Sequence, residues 1–306
     1  MPFTGNPFIF IFCFTAVVNK ILARSIMIRA KELRLRRLFN PEYGRSIIIP
    51  IDHGYYLGNT KGLEDPFGIM QILLEEEVDA TILTYGLAKI TNEYFTSKHA
   101  PARILAIDNA ILSNIPGNPS EFLDFELGVS VEQALKSGFD VIKVLLIWGL
   151  DPAIQMKEIK AISHLVSQCD NWVIPLMIEP LLLGKHIPKD QRNDPQLIAH
   201  ASRIAVELGA DILKIPYPGN REQFSTIVER SRVPVLILGG ADMETPAEMF
   251  RTARESVQAG GRGIVFGRSV WQNGQIRELI RGLKDAVYNL EDEEKIAQRH
   301  NVVSIS

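Results

Sequence analysis

Gly138 to Val144 reads GFDVIKV, and Gly209 to Ile215 reads GADILKI. Both place a glycine and an aspartate ahead of a short apolar run, and both carry one lysine inside that run. Val78 to Leu83, VDATIL, repeats the aspartate and the apolar run without the lysine. GGRGIVF, from Gly260, is a looser copy with no aspartate. Short aliphatic runs of this kind read as strands buried on both faces. Working outward, the same pattern occurs at Ser46–Asp52, Ala80–Thr84, Arg103–Ile107, Val141–Ile147, Trp172–Ile178, Asp211–Lys214, Val233–Leu238 and Gly263–Phe266. Amphipathic segments lie between them. Several open on a helix start signal: Asp65-Pro66, Ser130 with Gln133, Asp151-Pro152, Asp194-Pro195, Asn220 with Gln223, and Thr245-Pro246 with Glu248. Eight strand–helix units predict an α/β fold, a closed (β/α)8 TIM barrel. A doubly wound open sheet is the alternative. It is disfavoured because no GxGxxG follows the first strand.

The chain has 306 residues, which about 150 residues per domain would divide in two. A barrel of roughly 250 residues is a single domain, so residues 27–306 are read as one. Lys and Arg total 33 against 36 Asp and Glu, a formal net charge of −3. That balance disfavours a nucleic-acid or anionic-membrane partner. Cys13 and Cys169 form no CxxC pair, which favours a reduced, cytoplasmic setting. Residues 1–26 stand apart. Phe8 to Val18, FIFIFCFTAVV, is shorter than the roughly 20 apolar residues that span a bilayer, and no Lys or Arg precedes it. The expectation is an N-terminal extension outside the fold with Met27 as the working start; an export signal or membrane anchor is the alternative.

In a barrel the chemistry sits at the C-terminal ends of the strands. The first run ends in Asp52-His53-Gly54, the fourth carries Lys143, the fifth ends near Glu179 and the sixth ends in Lys214. A buried lysine must be paired or neutral. A single such lysine reads most simply as a salt-bridged barrel residue, but two lysines and two acids converging on one mouth point to catalysis. A lysine in a tight site near another cation loses its proton more readily, and the neutral amine can attack a carbonyl to form a Schiff base. Gly239 and Gly240 end the seventh run, and Gly267 and Arg268 follow the eighth. Loops at these places commonly build a phosphate site. The six histidines, His53, His99, His164, His186, His200 and His300, are scattered without ligand spacing, so no metal and no cofactor is expected.

Asp52-His53-Gly54, ADILKIPYPGN around Lys214, LGGAD at 238–242 and GIVFGRSVWQ at 263–272 occur in that order. Together they resemble the Schiff-base (class I) aldolase family of archaeal-type fructose-bisphosphate, tagatose-bisphosphate and deoxyribose-phosphate aldolases, over about Met27 to Asp285. The resemblance implies a (β/α)8 barrel with Lys214 as the Schiff-base lysine. It places phosphate contacts on Gly239, Gly240, Gly267 and Arg268, and proton handling on Asp52. KVLLIW at 143–148 and MIEPLL at 177–182 are similar to the tagatose-bisphosphate branch, which implies Lys143 as a second active-site lysine and points to Glu179. Fructose-bisphosphate members carry a catalytic tyrosine late in strand four, where this chain has Ile147 and Trp148, and a second histidine where it has Leu57. Tyr217 is a possible substitute acid, although a tyrosine so placed more often packs.

The resulting expectation is a metal-independent class I aldolase acting on a phosphorylated ketose. Lys214 is the nucleophile, Lys143 helps keep it neutral, and Asp52 and Glu179 relay protons. A homo-oligomer is expected. Alternatives are a transaldolase making an amino-deoxy-heptulosonate, or a barrel that binds a sugar phosphate without turnover.

Overall fold

The computed structural model describes residues 30–108, 127–239, 243 and 245–300. The eight strands are β1 (Ser46–Ile48), β2 (Ala80–Leu83), β3 (Ala102–Ala106), β4 (Val141–Ile147), β5 (Leu176–Leu181), β6 (Ile212–Pro216), β7 (Val235–Leu238) and β8 (Gly263–Val265). Each pairs in parallel with the next, and β8 closes on β1 with Gly263 opposite Ser46. The sheet is the expected closed (β/α)8 barrel. Strand side chains alternate between two faces, and two apolar clusters follow from this. Ile48, Ile82, Ile104, Val141, Leu145, Met177, Ile212 and Val265 fill the barrel interior. Ile142, Val144, Leu146, Leu213, Ile215 and Ile237 turn outward against the helices.

The repeated aspartate has a structural cause. Asp79 accepts the amide of Ile47 at 2.6 Å, Asp140 that of Arg103 at 3.0 Å, and Asp211 that of Leu176 at 2.8 Å. An aspartate at the foot of β2, β4 and β6 thus caps an amide of the strand before it. Each carboxylate has a further partner. Asp140 meets Arg37 at 2.7 Å, Asp211 meets Lys31 at 2.7 Å, and Asp79 takes the Tyr288 hydroxyl. Lys31 and Arg37 lie on the helix at 30–38, whose Leu38 is fully buried in the interior cluster. This helix closes the foot of the barrel and leaves the other end open.

Most helix starts form as expected. Asp65, Ser130, Asp194 and Asn220 each accept an amide of their own first turn, and Thr245 with Glu248 forms a full capping box. Ser130 makes only the first half of its box. Asp151 does not cap; its carboxylate pairs with Lys185 at 2.6 Å and His186 at 3.1 Å. The fifth strand begins at Leu176, four residues later than expected. The preceding helix, Pro152–Asn171, runs into that stretch; the Trp172 amide bonds to Gln168, and Val173 leaves the helix at φ +56. The delay carries Glu179 into the middle of β5. The long segment between β2 and β3 holds a helix, Tyr85–Ile90, and a tight turn, Asn92–Phe95. Among the described residues no helix is long and apolar enough to cross a membrane. The extension at 1–26 lies outside the described residues.

Candidate active site

Alternation sets which strand residues face the cavity above the interior cluster. On β4, Lys143 stands between inward Val141 and Leu145; on β6, Lys214 stands above Ile212. On β5, Glu179 lies opposite Leu145 of β4. The three side chains meet. Lys214 Nζ is 2.7 Å from Glu179 Oε1, and Lys143 Nζ is 3.1 Å from Glu179 Oε2. One carboxylate therefore separates the two ammonium groups that the sequence reading set side by side. Lys143 also lies 3.5 Å from Asp108 Oδ1. Asp108 follows the end of β3, accepts the Leu145 amide at 3.0 Å and accepts the Tyr56 hydroxyl at 3.0 Å.

This cluster forms part of the wall of a cavity of about 650 Å³ lined also by Asp52, Gly239, Gly267 and Arg268. All four expected catalytic residues are buried, with Lys143 side-chain exposure at 2% and Lys214 at 9%. Burial alone would neutralise such groups, and mutual pairing opposes it. For Lys143, desolvation is outweighed by Asp108, Glu179 and Asp52, and its pKa is raised: it remains a fixed cation. For Glu179, desolvation is outweighed by Lys143 and Lys214, and its pKa is lowered. For Asp52, desolvation is outweighed by the neighbouring His53 and the two lysines, which bring it down to about 2. Both acids are carboxylates at neutral pH. They can accept a proton and have none to give.

The expected phosphate end lies around the loops after β7 and β8. Gly267, Arg268 and Gly239 all line the cavity, whereas Gly240 lies outside the described residues. A Cβ on Gly267 would come within 2.9 Å of Pro50 and His53, so only glycine fits that turn. The Gly239 amide donates to Val265 O at 3.2 Å and belongs to the barrel ladder. Gly239 therefore offers the cavity a close backbone approach while its own amide is engaged in the ladder. The Ser269 hydroxyl, buried beside Gly239 without a hydrogen-bond partner among the described residues, was missed by the sequence reading.

Other residues were missed as well. Asp108 ends an apolar strand as Asp52 does, so the strand-end rule would have found it. Tyr56 sits on the one-turn helix His53–Leu57, and no spacing rule points to it. Arg192 reaches the cavity from the loop after β5. Tyr217 lines the cavity, but its hydroxyl bonds to Glu255 at 3.3 Å and its ring packs edge-on to Phe224. Burial and Glu255 push it up to about 12. Ile147 and Trp148 place no hydroxyl at the end of β4, Trp148 packing edge-on to His200. Among the described residues no group of three His, Cys, Asp or Glu is placed to hold a metal.

The DeoC/LacD family aldolase profile matches residues 46–273, from β1 to just beyond β8. An uncharacterized aldolase of Saccharolobus solfataricus is 28% identical over 262 residues, 85% of this chain and 95% of that one. The 2-amino-4,5-dihydroxy-6-oxo-7-(phosphonooxy)heptanoate synthase of Streptomyces griseus is 28% identical over 261 residues, covering 85% and 91%. Among solved structures, an archaeal fructose 1,6-bisphosphate aldolase superposes with a TM-score of 0.73 at 26% identity, over 85% of this chain and 99% of that one. Another archaeal aldolase, solved with its catalytic lysine covalently bound to the carbinolamine intermediate of the substrate, gives 0.73 at 25% identity, with the same coverage. With the profile spanning the whole circuit of strands that carries the two lysines, the chain belongs to the DeoC/LacD family of aldolases and is an enzyme of the lyase class.

Proposed function

We propose that the enzyme makes or breaks a carbon–carbon bond in a phosphorylated ketose of the fructose or tagatose bisphosphate type, through a Schiff base on Lys214. The observation that carries this reading is Glu179 held between two lysines in the cavity wall. Attack on a carbonyl needs a neutral amine, and Glu179 Oε1, 2.7 Å from Lys214 Nζ, can accept the departing proton. Returning that proton to the carbinolamine hydroxyl releases water and leaves the iminium. Lys143 keeps its charge throughout and holds Glu179 in place. Asp52, ionised on the same wall, balances the iminium charge and is a second acceptor. Phosphate anchored by Arg268 beside Gly239, Gly240 and Gly267 would hold the carbonyl against Lys214, so remote binding energy positions the reacting carbon.

The likeness to an archaeal aldolase trapped as a carbinolamine supports the same chemistry at Lys214. A panel of ketose phosphates incubated with the protein should release a triose phosphate from at least one member. No release from any of them, together with product from a donor and a free aldehyde, would point to transfer instead. That second reading, a transaldolase building an amino-deoxy-heptulosonate on the same Schiff base, draws on the product named for the Streptomyces griseus relative, an amino-oxo-heptanoate phosphate.

A further inference from the structure

Cleavage needs a group that takes a proton from one substrate oxygen and later gives a proton to carbon. Strand four supplies no tyrosine, the Tyr217 hydroxyl is turned to Glu255, and Glu179 is engaged by both lysines and by the proton of the Schiff-base step. Resting on the Schiff-base reading of Lys214, the geometry points to Tyr56, with Asp108 as its proton partner, as the residue that carries the proton between the substrate hydroxyl and the enamine carbon.

Tyr56 lines the same cavity as Lys214 and is only 6% exposed. Its ring lies over the Lys143 ammonium, 5.3 Å from Nζ to the centroid, which fixes its plane. Its hydroxyl donates to Asp108 Oδ2 at 3.0 Å. Asp108 is itself held by the Leu145 amide and Lys143, so the acceptor does not wander. Burial and the Asp108 and Asp52 charges raise the phenol pKa, so it carries its proton at neutral pH.

In the cleavage direction the phenol oxygen takes the proton of the hydroxyl on the carbon beyond the breaking bond and passes its own to Asp108. The freed O–H electron pair becomes the new carbonyl, and the carbon–carbon pair moves into the iminium to give the enamine. After the aldehyde leaves, Asp108 returns the proton through Tyr56 to the enamine carbon, restoring the iminium. No proton is gained or lost.

The test isolates this transfer with dihydroxyacetone phosphate in deuterium oxide. Enamine formation is read as exchange of a carbon-bound hydrogen for deuterium, and iminium formation as the borohydride-reduced adduct. Tyr56→Phe should slow exchange by about 100-fold, the usual worth of a positioned proton carrier, while the adduct forms to within about threefold of the parent. Undiminished exchange in Tyr56→Phe, with the adduct intact, overturns the proposal alone. Loss of exchange in Tyr217→Phe with Tyr56→Phe unaffected overturns it as well. Absence of any adduct in the parent protein overturns the Schiff-base reading and this proposal with it.

Discussion

Lys143 and Lys214 differ in what surrounds them, and that difference assigns their work. Lys143 is enclosed by Glu179, Asp108 and the Tyr56 ring, whereas Lys214, among the described residues, has its ion pair with Glu179 and meets the open cavity. Lys143→Met should therefore destabilise the fold by about 3–5 kcal/mol, because Asp108 and Glu179 lose a buried counter-charge. Denaturant unfolding checks this, and an unchanged midpoint would mean the carboxylates relax by taking up protons. Arg268 is exposed on the cavity rim and should act on binding instead of folding. Arg268→Ala should raise KM for a phosphorylated substrate about tenfold or more with little change in kcat, in steady-state kinetics. The two lysines were legible in the sequence because a charge inside an apolar run is costly and must have a reason. Tyr56 was not. Its position depends on how a one-turn helix folds back over β3 and β4, which no local pattern encodes.

At the scale of elements, the helix Pro152–Asn171 is tied to the end of β4 by a buried acid. Glu158 accepts the Ile147 amide at 2.7 Å and the Gln155 side chain at 2.6 Å. Burial raises it to about 8 against an ordinary 4.5. Between those values the folded protein keeps a proton that the unfolded chain releases, so stability is full below about 4.5 and falls as pH rises through about 8. Asp52 has the opposite sign: held at about 2 against 3.8, its contribution is present above 3.8 and lost as pH falls toward 2. The melting temperature should drop by at least about 3 °C between pH 5.5 and pH 8.5, and by less in Glu158→Gln. Equal slopes in the two proteins would exclude Glu158 as the source. The elements themselves were legible where caps and apolar runs agree, as at Thr245-Pro246 and Val141–Ile147. They were misread at Trp172, where an apolar helix exit imitates a strand.

The whole molecule separates stability from chemistry along the barrel axis. The foot is closed by the helix at 30–38 and its ion pairs to Asp140 and Asp211, while the acidic and basic residues of the site gather at the mouth. Leu38→Ala at the foot should cost about 2–5 kcal/mol, as for other large-to-small changes in a closed core. It should leave kcat and KM within about twofold, measured well below the melting temperature. A large change in kcat would mean that the two ends are coupled through the interior cluster. Closure itself was legible from the count of strand–helix units. The plug was not, because residues 30–38 look like any short amphipathic helix until the aspartates they pair with are brought together at the foot.

The central claim is that Lys214 forms the covalent intermediate, and borohydride reduction with dihydroxyacetone phosphate tests it most directly. Mass spectrometry of the digested protein should find the reduced adduct on the peptide containing Lys214, and Lys214→Met should abolish both the adduct and turnover. An adduct on Lys143, or turnover surviving in Lys214→Met, would contradict the account.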